Sequence, residues 1–300
     1  MGMIAEALNW LAGGQFFGAG GIAAGNLNFQ TGEDFPQWEL RGITIPGEIS
    51  LDDRLRSRGL SPLPVHDQGP VGICTATAGA TAATYAHWQT LPQGNPPPWR
   101  QFSPEPTFAW SKTAVIGGVP TSSGGSTVAN VARALRDFGC VPMAPLAGVN
   151  LSQVDGARAM RWSAKPGSTP WSLIPVAGLR RVQLFRVNAD IRQIREVLAL
   201  GGGVFASVPW TFTATDSRGT AVLVAGTHAM AITGRLTSGP TGKPALAFRQ
   251  SYGTKLFLFN RSKTHPRFPM PGIGLVEEER AFRAISDRRV AFAVFPEGPL

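Results

Sequence analysis

An α+β architecture in two subdomains is predicted by the way the hydrophobic period changes along this 300-residue chain. Three observations carry it. Before residue 140 the apolar residues recur at helical spacing, and after residue 200 they alternate as strands do. The two kinds of segment are segregated, whereas a parallel sheet with crossover helices would interleave them. The chain is 43% hydrophobic and 16% charged, which fills a core and excludes a mainly disordered state.

The elements follow in chain order. Residues 1–25 are apolar and rich in Gly and Ala, with Glu6 the only charged side chain. A secretory signal needs a positive leading region, which is missing here. A span needs about 20 strongly apolar residues, and the glycines weaken this stretch as one. Met1-Gly2 resembles a myristoylation start, but Glu6 stands where that motif wants Ser or Thr. The expectation is an arm that packs on its own domain or on another subunit, with a membrane surface as the lesser alternative. Residues 26–49 are punctuated by Pro and Gly and read as a linker, so residues 1–49 form an arm and linker ahead of one domain over 50–300.

Cys74 to Gln89 is alanine-rich and free of proline, which predicts a buried helix. Residues 92–106 read as a Pro-rich loop. From Ser126 to Phe138, the side chains of Val128, Val131, Ala132, Leu135 and Phe138 share one helical face. Ser126 or Thr127 caps that helix and Gly139 ends it. These helices define a helical subdomain over about 50–150. Residues 150–177 show no period and read as an insertion or linker. A second amphipathic helix is expected over Asn188–Leu200, capped by Asn188 and stopped by Gly201-Gly202-Gly203. Strands are expected at Val204–Val208, His228–Thr233, Ala245–Gln250, Lys255–Asn260 and Val290–Phe295, within a β-rich subdomain over about 178–300.

The formal charge is +9, from 28 basic and 19 acidic residues. The basic residues are dispersed and not interleaved with aromatics, so no nucleic-acid partner is predicted. Two cysteines and four scattered histidines give no zinc spacing, and no Walker loop or HExxH occurs, so neither metal nor cofactor is expected. Cys74 follows Gly72-Ile73 at a predicted helix start, where backbone N–H groups and the helix dipole would stabilise a thiolate. Taken alone, a single cysteine is more often a small buried hydrophobe.

Its surroundings go further. The segment LDDRLRSRGLSPLPVHDQGPVGICTATAGATAATY resembles the region around the nucleophile of papain-like cysteine peptidases, family C1, most closely the bacterial branch with its D-x-R and V-x-D-Q-G-x-x-G-x-C-T-A pattern. Further blocks follow in family order. Ser103-Pro104-Glu105 is similar to a helix start, Gly124-Gly125-Ser126 through Gly139-Cys140 to a G-x-S helix block, and Asn188 to Ser207 to a helix-then-strand block. Gly226-Thr227-His228-Ala229-Met230 resembles the histidine segment, and Arg249-Gln250-Ser251-Tyr252-Gly253-Thr254 resembles K-N-S-W-G-T.

The resemblance covers about residues 50–300. It implies a papain-like fold with a cleft between a helical and an antiparallel β-rich subdomain. In it Cys74 is the nucleophile, His228 its base, Gln68 an oxyanion-hole donor and Gln250 the group that orients the imidazole. The implied reaction is hydrolysis of a peptide or isopeptide bond of a protein or peptide substrate through a Cys74 thioester. Three positions depart from the pattern: Gln250 replaces Asn, Tyr252 replaces Trp, and Val71 replaces a disulfide cysteine of secreted members. The extra methylene of Gln250 predicts a looser imidazole. Two other functions stay open. One is a weak or inactive structural protein docked by its arm into a larger assembly such as a virion, and the other is acyl transfer by the same triad. A cytoplasmic or assembly-associated location is expected. Of the remaining candidates, His66 reads as a surface or cleft-rim residue, His87 as packing, His265 as a loop residue and Cys140 as a buried thiol.

Overall fold

The computed structural model describes residues 32–69, 71–91, 101–122, 124–252, 268, 272–288 and 290–298. The arm over 1–25, the strand expected at Lys255–Asn260, His265 and most of the Pro-rich loop lie outside the described residues.

A two-residue strand, β1 (Ile49–Ser50), leads directly into α1 (Leu51–Ser57), whose first turn Ser50 caps through its hydroxyl. Helix α2 (Cys74–Thr90) is followed by α3 (Pro104–Thr113) and α4 (Val128–Phe138). Ser103 caps α3 and Thr127 caps α4. A small hairpin, β2 (Pro145–Leu146) with β3 (Val149–Asn150), precedes α5 (Gly156–Ser163) and α6 (Ile174–Ala177). The second half holds β4 (Val182–Arg186), α7 (Ile191–Ala199), β5 (Gly203–Thr215), β6 (Ala221–Leu236) and β7 (Ala245–Arg249). It closes with β8 (Ile273–Glu277), α8 (Glu278–Arg288) and β9 (Ala291–Pro296).

The main sheet is antiparallel in the order β4-β9-β5-β6-β7-β8, with β1 also paired to β6. Helix α2 lies between this sheet, against β5, β6 and β9, and the helices α3 and α4. Its sequence of Ala, Thr and Gly is buried on nearly every face, which suits a helix enclosed on both sides. Small residues set how close it comes. A Cβ at Gly203 would stand 2.0 Å from the carbonyl oxygen of Ala82, and one at Gly79 would stand 2.8 Å from Val131. Only glycine lets α2 meet β5 backbone to backbone at the first point. The helix that starts at Cys74 is thereby pressed against the strands beside the one that carries His228.

Several expectations change. Residues 32–48, read as linker, are packed onto the core. Phe35 and Trp38 are buried, and Trp38 stacks on Phe295 at 5.1 Å. Glu196 on α7 accepts the Trp38 indole N–H at 2.8 Å and the backbone N–H groups of Arg41 and Ile43. Two aromatics in an extended stretch have no period, so the pattern reading passes over them. The 150–177 stretch contains α5, α6 and short 3₁₀ turns. Helix α7 is capped by Asp190, not Asn188. Asp190 accepts the Arg192 N–H, and the Gln193 side chain reaches back to complete a capping box. The β5–β6 hairpin extends well beyond the two strands expected there, and β4, β8 and α8 were not anticipated as elements. Among the described residues no helix is long and apolar enough to cross a membrane.

Candidate active site

Three chain segments meet at the first turn of α2. The helix begins with Cys74 itself, and Ile73 at the N-cap offers no side-chain acceptor. The first N–H groups are therefore left for the sulfur or for a bound group. Two of them, its own and that of Thr75, serve the Cys74 sulfur, joined by the N–H of Ala229 on β6. The Ala229 bond brings the thiol to the residue next to His228.

His228 lies on β6 opposite Val208 of β5. One residue pair further along, the register shifts between Val208 and Trp210, a bulge of the kind that re-aims neighbouring side chains. The imidazole is buried, and its Nε2 lies 3.0 Å from Gln250 Oε1. The other end of that amide fixes the assignment. Gln250 Nε2 faces the carbonyl oxygen of Phe212, which can only accept, and Thr211 Oγ1 at 3.0 Å. The NH₂ group must therefore point that way and Oε1 toward the ring. A carboxamide oxygen only accepts, so His228 Nε2 carries the proton and Nδ1 keeps its lone pair. Gln250 Oε1 also accepts the Ser251 N–H at 3.3 Å. Both amide hydrogens and both oxygen lone pairs of the longer Gln250 side chain are therefore engaged.

Gln68 stands six residues before Cys74 and is tied to the same segment. Its backbone N–H donates to Ser251 O at 2.9 Å, and Asp67 forms a β-bridge with Tyr252. Its side-chain oxygen accepts the Ser251 hydroxyl, and its NH₂ group donates to Val71 O at 2.7 Å. One of the two amide hydrogens is used by Val71, which leaves the second for another acceptor. Tyr252 stacks on His228, with centroids 5.0 Å apart and planes at 16°, and its hydroxyl lies 3.4 Å from Nδ1.

Electrostatics departs from the expectation of a resting thiolate. Burial pushes the Cys74 thiol above its ordinary range, against the pull of its three N–H donors. Burial also drives His228 down to about 4, with the Gln250 bond only a partial offset. Both shifts favour uncharged groups, so the resting pair at neutral pH is thiol and neutral imidazole. A helix N-terminus lowers a thiol only where the thiolate stays solvated or paired; desolvation dominates here. Cys74 nonetheless remains half-buried as a residue.

Behind Gln250 lies a buried polar cluster that pattern reading missed. Arg249 pairs with Asp52 of α1 at 3.3 Å and bonds the Tyr85 hydroxyl of α2 and the carbonyl of Leu63. Tyr85 donates to Asp52 at 2.6 Å. The cluster ties α1, α2 and the end of β7 together. Asp52 was the first residue of the D-x-R signal and Arg249 the first of the K-N-S-W-like block, so both could have been found there. Thr211, in a strand with no motif, gave no such signal. His66 is buried and not at the surface, in the loop whose Leu63 carbonyl accepts from Arg249. Neither of its ring nitrogens has a hydrogen-bond partner, and burial followed by the Arg249 charge lowers its pKa to about 3. Cys140 is a buried free thiol, pushed upward by desolvation. Among the described residues no cluster of His, Cys, Asp and Glu is placed to hold a metal ion.

The fold is that of papain-like cysteine proteases. The chain is similar to xylellain, a cysteine protease from Xylella fastidiosa, with a TM-score of 0.55 and 18% identity over 88% of this chain and 92% of that one. It is similar to procathepsin B of Trypanosoma congolense, with a TM-score of 0.54 and 12% identity over 99% of each chain. A structure from work on the mite allergens Blo t 1 and Der p 1 gives a TM-score of 0.56 and 16% identity over 96% of this chain and 81% of that one. No protein-family profile matches the sequence, and no curated protein sequence does either.

Proposed function

We propose that the chain is a thiol peptidase that hydrolyses peptide or isopeptide bonds through a Cys74 thioester. The observation that carries this reading is the tautomer of His228. The bonds from Gln250 to Phe212 and Thr211 leave Nδ1 as the unprotonated nitrogen, on the residue beside the N–H that holds the Cys74 sulfur.

In this mechanism Cys74 Sγ attacks the substrate carbonyl carbon as its proton passes to His228 Nδ1. The developing oxyanion takes the Cys74 backbone N–H and the second amide hydrogen of Gln68. His228 then returns the proton to the leaving amine. Water, deprotonated by the same nitrogen, hydrolyses the thioester and restores the thiol. Because the resting pair is neutral, proton transfer accompanies attack and does not precede it.

The test is cleavage of a peptide library at neutral pH by the whole chain and by Cys74→Ala. Cleavage that disappears in the variant, with a transient acyl adduct on Cys74 by mass spectrometry, is the expected result. Cleavage that survives Cys74→Ala would refute the assignment. Added amine separates transfer from hydrolysis, because a transferase would give amide product in place of acid.

A further inference from the structure

An asparagine in this position needs few supports, because its amide is one torsion from the backbone-fixed Cβ. Gln250 has one torsion more, and two hydroxyl groups meet its amide and the imidazole it orients. Thr211 is fully buried on β5, and its Oγ1 accepts one hydrogen of the Gln250 NH₂ group at 3.0 Å. The Thr211 side chain also hydrogen-bonds the Tyr252 hydroxyl. Tyr252 in turn covers the face of His228, with its hydroxyl 3.4 Å from Nδ1.

We propose that Thr211 and Tyr252 are positioning residues that, with Gln250, form a closed hydroxyl–amide bracket holding His228 at its edge and its face. This rests on the thiol-peptidase reading above. Two of the three departures from the family pattern, Gln250 and Tyr252, then belong together. The longer amide reaches past the ring to a threonine, and the tyrosine supplies the hydroxyl that bridges that threonine back to the imidazole. An indole at 252 has no hydroxyl to close the ring of bonds, and its N–H only donates.

The bracket also leaves the proton path open. Tyr252 lies over the ring, so its hydroxyl meets Nδ1 from the face and leaves the in-plane lone pair to take the Cys74 proton. No heavy atom has to move, and the proton leaves sulfur and arrives on nitrogen in one balanced step.

The test uses the whole chain and the near-isosteric changes Thr211→Val and Tyr252→Phe. Iodoacetamide labelling of Cys74 is followed against pH by mass spectrometry, with Cys140 as internal control and thermal melting as the check on folding. His228→Ala sets the unassisted limit. Each single variant is expected to label about tenfold more slowly at neutral pH, where labelling depends on the base, and as fast as wild type at pH values where Cys74 is ionised. Thr211→Ser, which keeps the hydroxyl, should return the wild-type profile, and the double variant should be no worse than the worse single one. Folded variants with the wild-type profile would overturn the bracket, as would a Thr211→Ser profile like that of Thr211→Val. If Thr211→Val does not fold, Tyr252→Phe decides alone. A wild-type profile unchanged by His228→Ala is a different failure, since it removes the base itself and the peptidase reading with it.

Discussion

Replacing His66 by leucine should make the protein more resistant to acid, and the size of the effect can be worked out. His66 is buried, neither ring nitrogen has a partner, and its pKa is lowered to about 3. An unfolded chain would titrate this group near 6.5. The folded-state value is depressed, so the unfolded state binds the proton first. The neutral ring's share of stability is present above about pH 6.5 and is lost as pH falls toward 3. At about pH 5 the loss is roughly 2 kcal/mol from His66 alone. His87 and His228, each lowered to about 4, carry the same sign and roughly 2 kcal/mol each at that pH. Three such losses together are comparable with the whole stability of an ordinary domain, roughly 5–15 kcal/mol. His66→Leu removes one of them. It also removes two unpartnered polar atoms, a gain of about 1 kcal/mol at neutral pH against some loss of fit. Urea denaturation followed by tryptophan fluorescence at about pH 7 and about pH 5 measures both. The stability gap between variant and wild type should widen by about 2 kcal/mol at the lower pH. An equal gap at the two values would refute the reasoning.

Other consequences are equally direct. Gln68→Ala should lower kcat about 10²- to 10³-fold with little change in KM, measured on any cleaved peptide, because it removes one oxyanion donor. Arg249→Met leaves Asp52 buried with Tyr85 as its remaining partner in the cluster and should cost about 3–5 kcal/mol in thermal or urea unfolding. Glu196→Leu strips the acceptor from the Trp38 indole and from the N–H groups of Arg41 and Ile43, so limited proteolysis should cut within residues 32–48 faster than in wild type.

What the sequence makes legible here is what short-range chemistry encodes. Helix α2 is readable because its alanines leave no alternative, and α4 because five apolar residues repeat on one face. The order of Gln68, Cys74, His228 and Gln250 is readable only through the resemblance to papain-like peptidases, whose pattern carries a Gln, a Cys, a His and a side-chain amide in that order. Long-range closure is not readable. Phe35 and Trp38 find partners on β9 and α7 more than 150 residues away, and nothing around them signals it. Thr211 looks like any strand threonine until the sheet register brings it to Gln250. The direction of the Cys74 shift is not readable for a related reason. A helix N-terminus is visible in sequence, but the desolvation that outweighs it depends on everything packed around Cys74.

The buried histidines also decide how acid would stop catalysis. Nothing titrates at the site near pH 6 when His228 has been driven down to about 4. A one-proton loss of activity would therefore be centred near that value. Before it is reached, at about pH 5, the three histidines have already withdrawn roughly 6 kcal/mol from the fold. Unfolding should come first, so the acid limb of activity should be steep, involve more than one proton, and coincide with loss of the circular dichroism signal. His66→Leu, which leaves Cys74, His228 and Gln250 untouched, should then move that limb to lower pH although it changes no catalytic group. A shallow single-proton limb with the dichroism still native would show that the site titrates on its own, and that His228 is far less desolvated than its burial implies.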